Sequence, residues 1–274
     1  MDEVNRTLYI PLYGKSKVSA EGIILRDPTA EKIWAAEGFP IRGKSKSRWL
    51  AYNMAMRARV FDDWTDDMLE KYPDALVLHI GCGLDARCHR VRRPYRLWID
   101  CDFPEVIAAR QKYFVQTETY RMKALDASDP EQFCALPDAA SAIVVLEGLC
   151  MYLTPEKLRA MFRALAEKYG TLCILADVYT KFGARASKYK NPVNDVGVTK
   201  LYWIDDMEGL LSGLPLALLS ERTFTPAHLV DELRSGERRF FKLMFTGKKI
   251  RKIYRLFEIG TPSPAARDTE GAAV

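Results

Sequence analysis

The feature that most constrains this chain is a glycine turn set between a buried strand and a helix. The apolar run ALVLHI (75–80) stops at Gly81, and G-x-G-x-x-A follows at 81–86. Glycine tolerates positive φ and close backbone approach, so such a turn suits the carboxyl edge of a parallel sheet, where α/β folds receive nucleotide-like ligands. The alternation continues downstream. YRLWID (95–100) reads as a second strand, FPEVIAARQKYFV (103–115) as the next helix, and a third strand falls near YRMKALD (120–126). SAIVVLEG (141–148) is a fourth strand. TPEKLRAMFRALAEKYG (154–170) is a helix with a Thr N-cap, Pro at its first position and Gly at its end, and TLCILADVY (171–179) is a fifth strand. This pattern predicts an α/β protein with a doubly wound, mostly parallel sheet.

The flanks differ in character. Residues 1–72 are read as a helical N-terminal cap, chiefly because SRWLAYNMAMRARVFDDWTDDMLEKY (47–72) repeats apolar positions at intervals of three and four. Residues 73–260 form the core, with a lid-like insertion at about 180–215 after strand five. Within it KFGARASKYKNPVNDVGVTKLYW (181–203) is basic, aromatic and poorly periodic. ALLSERTFT (217–225) and KIYRLFEIG (252–260) are candidates for the last two strands, with one helix through AHLVDELRSGERRFFKLMF (227–245) between them. Residues 261–274 are read as a disordered tail.

A balance of 41 Lys+Arg against 36 Asp+Glu gives +5 over 274 residues, with 48% hydrophobic residues. That profile excludes disordered and fibrous classes and argues against a nucleic-acid partner, which leaves a concentrated basic stripe. The short runs GKSKSR (43–48) and GKKIRKIYR (247–255) are read as solvated faces. No apolar run approaches the roughly 18 residues of a membrane span, and MDEVNRTLYIPLYG lacks the regions of a signal peptide, so no membrane partner and a cytoplasmic location are expected. Six cysteines without a C-x-x-C pair are read as reduced thiols. His79 and His89 have no spaced partner, so no metal is expected.

Two ligand classes suit the glycine turn, dinucleotides and S-adenosylmethionine. Asp85 inside the turn would repel a pyrophosphate but suits a sulfonium and an ammonium. As a structural alternative, Asp85 caps the following helix. Asp100 and Asp102 close the second strand, where a carboxylate accepts from ribose hydroxyls.

The series R-A-R-V-F-D (57–62), H-I-G-C-G-L-D-A-R (79–87), I-D-C-D-F-P (99–104), L-D-A (125–127) and L-E-G-L-C-M-Y-L-T-P-E (146–156) resembles the leucine carboxyl methyltransferase superfamily, in particular its polyketide O-methyltransferase branch. The resemblance spans about residues 15–260. It implies a class I methyltransferase (Rossmann-like) fold binding S-adenosyl-L-methionine. By the same resemblance Arg57 would pair with the cofactor carboxylate, Gly81 and Gly83 would underlie its methionine and ribose, and Asp102 or Asp100 would hold the ribose. Asp126, flanked by Leu125 and Ala127, would meet the adenine; Glu147 would face the ammonium; Tyr152 would lie near the transferred methyl group as the catalytic residue. Lys17 matches a lysine that approaches the cofactor carboxylate, with Lys15 as a rival. Arg57 also reads as a surface salt-bridge partner, and Tyr152 as helix-start packing.

The resemblance points to a small-molecule carboxylate as methyl acceptor. Such a group is ionised at neutral pH and needs no base. Lys181, Arg185, Lys188, Tyr189, Lys190, Tyr202 and Trp203 are candidates to hold it. The alternatives are a hydroxyl acceptor, with His228 or a lysine as base, a protein or modified-nucleoside acceptor, and a NAD-dependent oxidoreductase.

Overall fold

The computed structural model describes residues 8–39, 43–190 and 201–262. Among the described residues three α-helices precede the sheet: α1 (Tyr9–Glu21), α2 (Pro28–Glu37) and α3 (Arg48–Lys71). Gly14 lets α1 lie close on α3, since a Cβ there would stand 3.1 Å from Met54 Cβ. Asp27 caps α2 by accepting from Ala30 N at 2.8 Å.

The core alternates β1 (Leu76–Ile80), α4 (Arg87–Arg90), β2 (Leu97–Asp102), α5 (Pro104–Arg110), β3 (Tyr120–Ala124), β4 (Ser141–Leu146), α6 (Pro155–Lys168) and β5 (Thr171–Tyr179). Then come α7 (Lys181–Lys190), α8 (Met207–Leu211), β6 (Ala217–Arg222), α9 (Ala227–Asp231), α10 (Ser235–Phe245), α11 (Lys248–Arg251) and β7 (Tyr254–Gly260). The seven strands run in the order β3-β2-β1-β4-β5-β7-β6. The first five are parallel, and β7 is antiparallel to both β5 and β6. The expected doubly wound, mostly parallel sheet is therefore present.

Burial explains the apolar runs. Strands β1 and β4 are covered on both faces, so successive residues enter opposite cores: Leu76, Leu78, Val144 and Leu146 pack with Met161, Phe162 and Leu165 of α6. Val77, Ile143 and Val145 pack with Phe61 and Trp64 of α3 on the other face. Thr154 caps α6 through Lys157 N, as its sequence signal predicts.

Several boundaries differ from the sequence reading. The helix expected over 103–115 ends at Arg110, whose guanidinium enters the core and is covered by the Phe114 ring at 4.0 Å. The single helix expected over 227–245 breaks at Arg234, which is extended (φ −57°, ψ 146°) ahead of Ser235 and Gly236, both weak helix formers. An added turn, α11, precedes β7. The segment read as poorly periodic after strand five begins with a helix, α7. Residues 191–200, and the tail from 263, lie outside the described residues.

Inside the sheet, Asp100 accepts from Arg110 Nη2, from Tyr120 Oη at 2.6 Å and from Trp98 Nε1 at 2.8 Å. All of these groups are buried. Removing one partner of a buried pair leaves an uncompensated charge, so Arg110→Ala is expected to cost about 3–5 kcal/mol in denaturant unfolding. Arg93→Ala, which breaks the exposed pair with Glu70, is expected to cost less than about 1 kcal/mol.

Candidate active site

The glycine turn leaves β1 with both glycines left-handed, Gly81 at φ 71° and Gly83 at φ 53°. A side chain at either position would be strained by the positive φ and would have to displace a leucine. A Cβ on Gly81 would stand 3.0 Å from Leu149 Cδ1, and one on Gly83 would stand 2.8 Å from Leu8 Cδ2. The turn separates two adjoining cavities of about 300 and 260 Å³, and Leu8, Gly81, Gly148 and Tyr152 line both.

The second cavity gathers Asp102, Leu125, Asp126 and Ala127. Asp102 Oδ2 accepts from Gly83 N at 2.7 Å and Oδ1 from Phe103 N at 2.8 Å, which fixes the carboxylate and leaves each oxygen a further lone pair. Burial raises its pKa, opposed by those two amides. Asp100 is in neither cavity. Pairing of β1 with β2 ends at Ile80–Cys101, so Asp100 is enclosed opposite His79 while Asp102 lies beyond the pairing and reaches the turn.

The first cavity holds Lys15, Arg57, Gly83, Asp85 and Glu147 at its polar end. Lys15 is buried and pairs with Asp85. Lys17, half-buried, sits 5.9 Å from the Tyr13 ring centroid and lines neither cavity. Asp85 also meets Arg90 at 3.0 Å, and its Oδ1 accepts from Arg87 N at 2.6 Å. It therefore accepts from the first backbone N–H of α4, whose N-cap is Ala86, and anchors cations at once. Arg90 and Arg87 bind Asp62 of α3, each at 2.7 Å, and Arg87 continues to Glu147 Oε2 at 2.5 Å.

Arg57 is 5% exposed, which removes the surface-pair reading. Its Nε and Nη2 both lie 3.0 Å from Glu147 Oε1, and its Nη1 donates at 3.0 Å to Asp177 Oδ2 and to Tyr254 Oη. A guanidinium carries five N–H donors; the hydrogen bonds to Glu147, Asp177 and Tyr254 occupy three, on Nε and Nη1, so the two Nη2 hydrogens, beside Glu147 Oε1, are the ones left for a ligand. Arg87, Arg90, Asp177 and Tyr254 were not predicted. Asp177 had a signal, a lone carboxylate in the apolar run TLCILADVY; Tyr254 had none.

The rest of the first cavity is mostly apolar, with Asn53, His79, Tyr152, Tyr179 and Tyr254 as its other polar side chains and Asn53 Oδ1 buried without a hydrogen-bond partner among the described residues. Ile10, Leu50, Met54, Met151, Phe224 and Phe245 contribute to the apolar part. Lys181, Arg185, Tyr202 and Trp203 line neither cavity, and the side chains of Lys188, Tyr189 and Lys190 lie outside the described residues. His228 is exposed on α9, away from both. Cys82 lines the turn, but burial pushes its thiol well above the ordinary range.

Burial alone would raise the Glu147 carboxyl, yet Arg57 and then Arg87 hold it at about 2. Burial likewise opposes ionisation of Asp85, and Arg90, Lys15 and Arg87 hold it well below the carboxylate range. Asp100 is held at about 2, against burial, chiefly by Arg110. A folded-state pKa below the unfolded value contributes stability that is complete above the unfolded pKa and is lost as pH falls through the folded one. Asp177 is shifted upward by burial and acts in the opposite sense. The melting temperature is expected to hold from pH 7 to about 5 and to fall steeply from about 4.5 towards 2. A thermal melt that rises on acidification would show that the upward-shifted carboxyls dominate.

Comparison with known proteins agrees with this geometry. The family model described as leucine carboxyl methyltransferase matches residues 13–166. The chain is 31% identical over 196 residues to the tetracenomycin polyketide synthesis O-methyltransferase TcmP of Streptomyces glaucescens, covering 70% of this chain and 72% of that protein. It is 26% identical over 255 residues to the S-adenosyl-L-methionine-dependent methyltransferase dpfgK of Gibberella zeae, covering 84% of each. Among solved structures, a candidate methyltransferase from Thermobifida fusca matches with a TM-score of 0.53 at 15% identity, covering 85% of this chain and 86% of that one. Magnesium protoporphyrin IX methyltransferase from Synechocystis, with bound S-adenosylhomocysteine, matches with a TM-score of 0.50 at 12% identity, over 85% and 95% of the two chains. These two likenesses show the fold. The chain belongs to the leucine carboxyl methyltransferase family and is a methyltransferase that uses S-adenosylmethionine.

Proposed function

We propose that the chain methylates a carboxylate oxygen of a small, largely apolar acceptor in the cytoplasm, with residues 1–72 as the cap over a cofactor-binding core of 73–260. The observation that carries this reading is the chemistry of the first cavity. Its apolar wall suits an acceptor with an apolar body, and its carboxylates are poor bases because arginines and a lysine hold them ionised. His79 is held at Nε2, 3.4 Å from Arg87 Nη1, while its Nδ1 lies 3.3 Å from Asp100 without a hydrogen bond. An acceptor that arrives ionised fits such a site, since a carboxylic acid has a pKa of about 4. The six cysteines are free thiols, as a reducing compartment keeps them.

Bound S-adenosylmethionine supplies a methyl group on a sulfonium: the acceptor oxygen forms the new O–C bond, the S–C bond breaks, and its electron pair stays on sulfur. The chain contributes alignment and exclusion of water. Asp102 takes the ribose hydroxyls, Asp126 with Leu125 and Ala127 the adenine, and Gly81 and Gly83 the close backbone approach. Lys15 and the Arg57 Nη2 group attract the cofactor carboxylate, and Glu147 and Asp85 supply the negative field for its ammonium and sulfonium. Tyr152, at the junction of the cavities, orients the acceptor beside the methyl group.

One observation favours a hydroxyl acceptor as the second reading. Tyr254 lines the first cavity and donates to Asp177 Oδ2 at 2.5 Å, and burial raises the Asp177 carboxyl despite Arg57. This pair can relay a proton, a role that His228 is not placed to fill.

Labelled cofactor separates the two. A methyl ester releases its label as methanol in mild alkali, whereas an ether retains it, and alkali-stable product would reject the carboxylate reading. With a carboxylate acceptor, Tyr254→Phe is expected to keep kcat within about threefold; loss of about a hundredfold is the magnitude of a missing base. In calorimetric titration with S-adenosylhomocysteine, Lys15→Ala and Asp102→Ala are expected to weaken binding tenfold or more, from roughly 1.5–3 kcal/mol per charge-assisted bond, while Lys17→Ala leaves it unchanged. Equal effects of Lys15→Ala and Lys17→Ala would overturn the assignment of Lys15.

A further inference from the structure

Although the overall excess is small and 247–255 reads as a solvated face, the basic charge gathers in one segment. Residues 234–255 carry nine basic side chains against Glu237 alone, more than the whole excess of +5. Glu237 is occupied by Arg48 and by Tyr52 Oη at 2.9 Å. Arg239, Lys248, Lys249 and Lys252 are exposed and make no salt bridge among the described residues.

The same segment exposes apolar surface. Helix α10 buries Phe241 against α1 and α3, yet Phe240, Leu243 and Met244, spaced at i, i+3 and i+4, stand 43%, 63% and 45% exposed as a second stripe. Lys249 Nζ donates to Leu243 O at 2.7 Å, which sets an ammonium at the edge of this stripe. Phe240 packs on Trp49 with ring centroids 4.6 Å apart, so the stripe is anchored to α3. Phe245, Ile250 and Ile253 continue it inward and line the first cavity.

We propose that α10 and α11 form a docking face for an anionic lipid surface, which seats the Phe245–Ile253 edge of the first cavity against the headgroups. Protruding apolar side chains ringed by cations are what an interfacial helix presents: the apolar stripe enters the acyl boundary and the cations meet the phosphates. Phe240, Leu243 and Met244 belong to neither cavity and protrude from a convex helix among unpaired cations, the shape that a lipid surface takes up. No helix among the described residues is long and apolar enough to cross a membrane, so the association is peripheral.

The test is sedimentation of the full chain with vesicles of phosphatidylcholine alone and of phosphatidylcholine with phosphatidylglycerol. Binding is expected only to the anionic vesicles and weakens as salt rises. Lys248→Glu with Lys249→Glu is expected to weaken it at least about tenfold, at roughly 1 kcal/mol per basic residue. Leu243→Ser with Met244→Ser is expected to weaken it about fivefold and to leave a residue of binding that high salt abolishes. Both variants should bind S-adenosylhomocysteine like the parent, which shows that they fold. Equal binding to both vesicle types, or none to either, overturns the proposal. So does capture by polyglutamate without vesicle binding, which assigns the face to an acidic protein, or a dimer that the Leu243→Ser and Met244→Ser changes dissociate.

Discussion

The structure depends on a buried chain of alternating charges. It runs from Lys15 of α1 to Asp85 in the glycine turn, through Arg90 to Asp62 of α3, through Arg87 to Glu147 at the end of β4, and through Arg57 to Asp177 on β5. Every member contacts opposite charge on at least one side, which is the condition for ions to persist in a low-dielectric interior. The chain therefore joins the N-terminal helices to the carboxyl edge of the sheet by directional bonds as well as by apolar packing. Four of its members, Lys15, Asp85, Glu147 and Arg57, line the polar end of the first cavity, so the scaffold and the ligand-facing surface share side chains.

Much of the fold was legible because its signals are local. Strand runs buried on both faces, the glycine turn, and the Thr154–Pro155 start of α6 each lie within a few residues. The errors were also local in origin. The sequence over 227–245 reads as one helix because its apolar periodicity continues across Arg234, while the break falls at that extended residue ahead of the weak helix formers Ser235 and Gly236.

The site was legible only where a family motif named its residues. Asp100 and Asp102 share a face of β2, so periodicity treats them alike; the end of pairing with β1 separates them, and pairing is a tertiary fact. Lys15 and Lys17 stand two positions apart on one helix, hence on different faces, and only the docking of α1 shows which faces inward. Arg57 and Glu147 are 90 positions apart and Arg57 and Tyr254 197, separations at which no pattern in a single sequence reports contact. The aromatic, basic segment after β5 attracted attention by composition, whereas the cavity wall came from Phe224, Phe245, Ile250 and Tyr254.

The division of the first cavity into a charged end and an apolar end has an evolutionary consequence. A change at Glu147 breaks pairs with α3 and α4 at once, and one at Arg87 breaks pairs with Asp62 and Glu147, so that end can drift only by compensated replacement. Ile10, Leu50, Met54 and Phe245 have no such obligations and exchange volume one residue at a time. Descendants of this chain can thus diverge in what they modify while inheriting, nearly intact, the means by which they modify it.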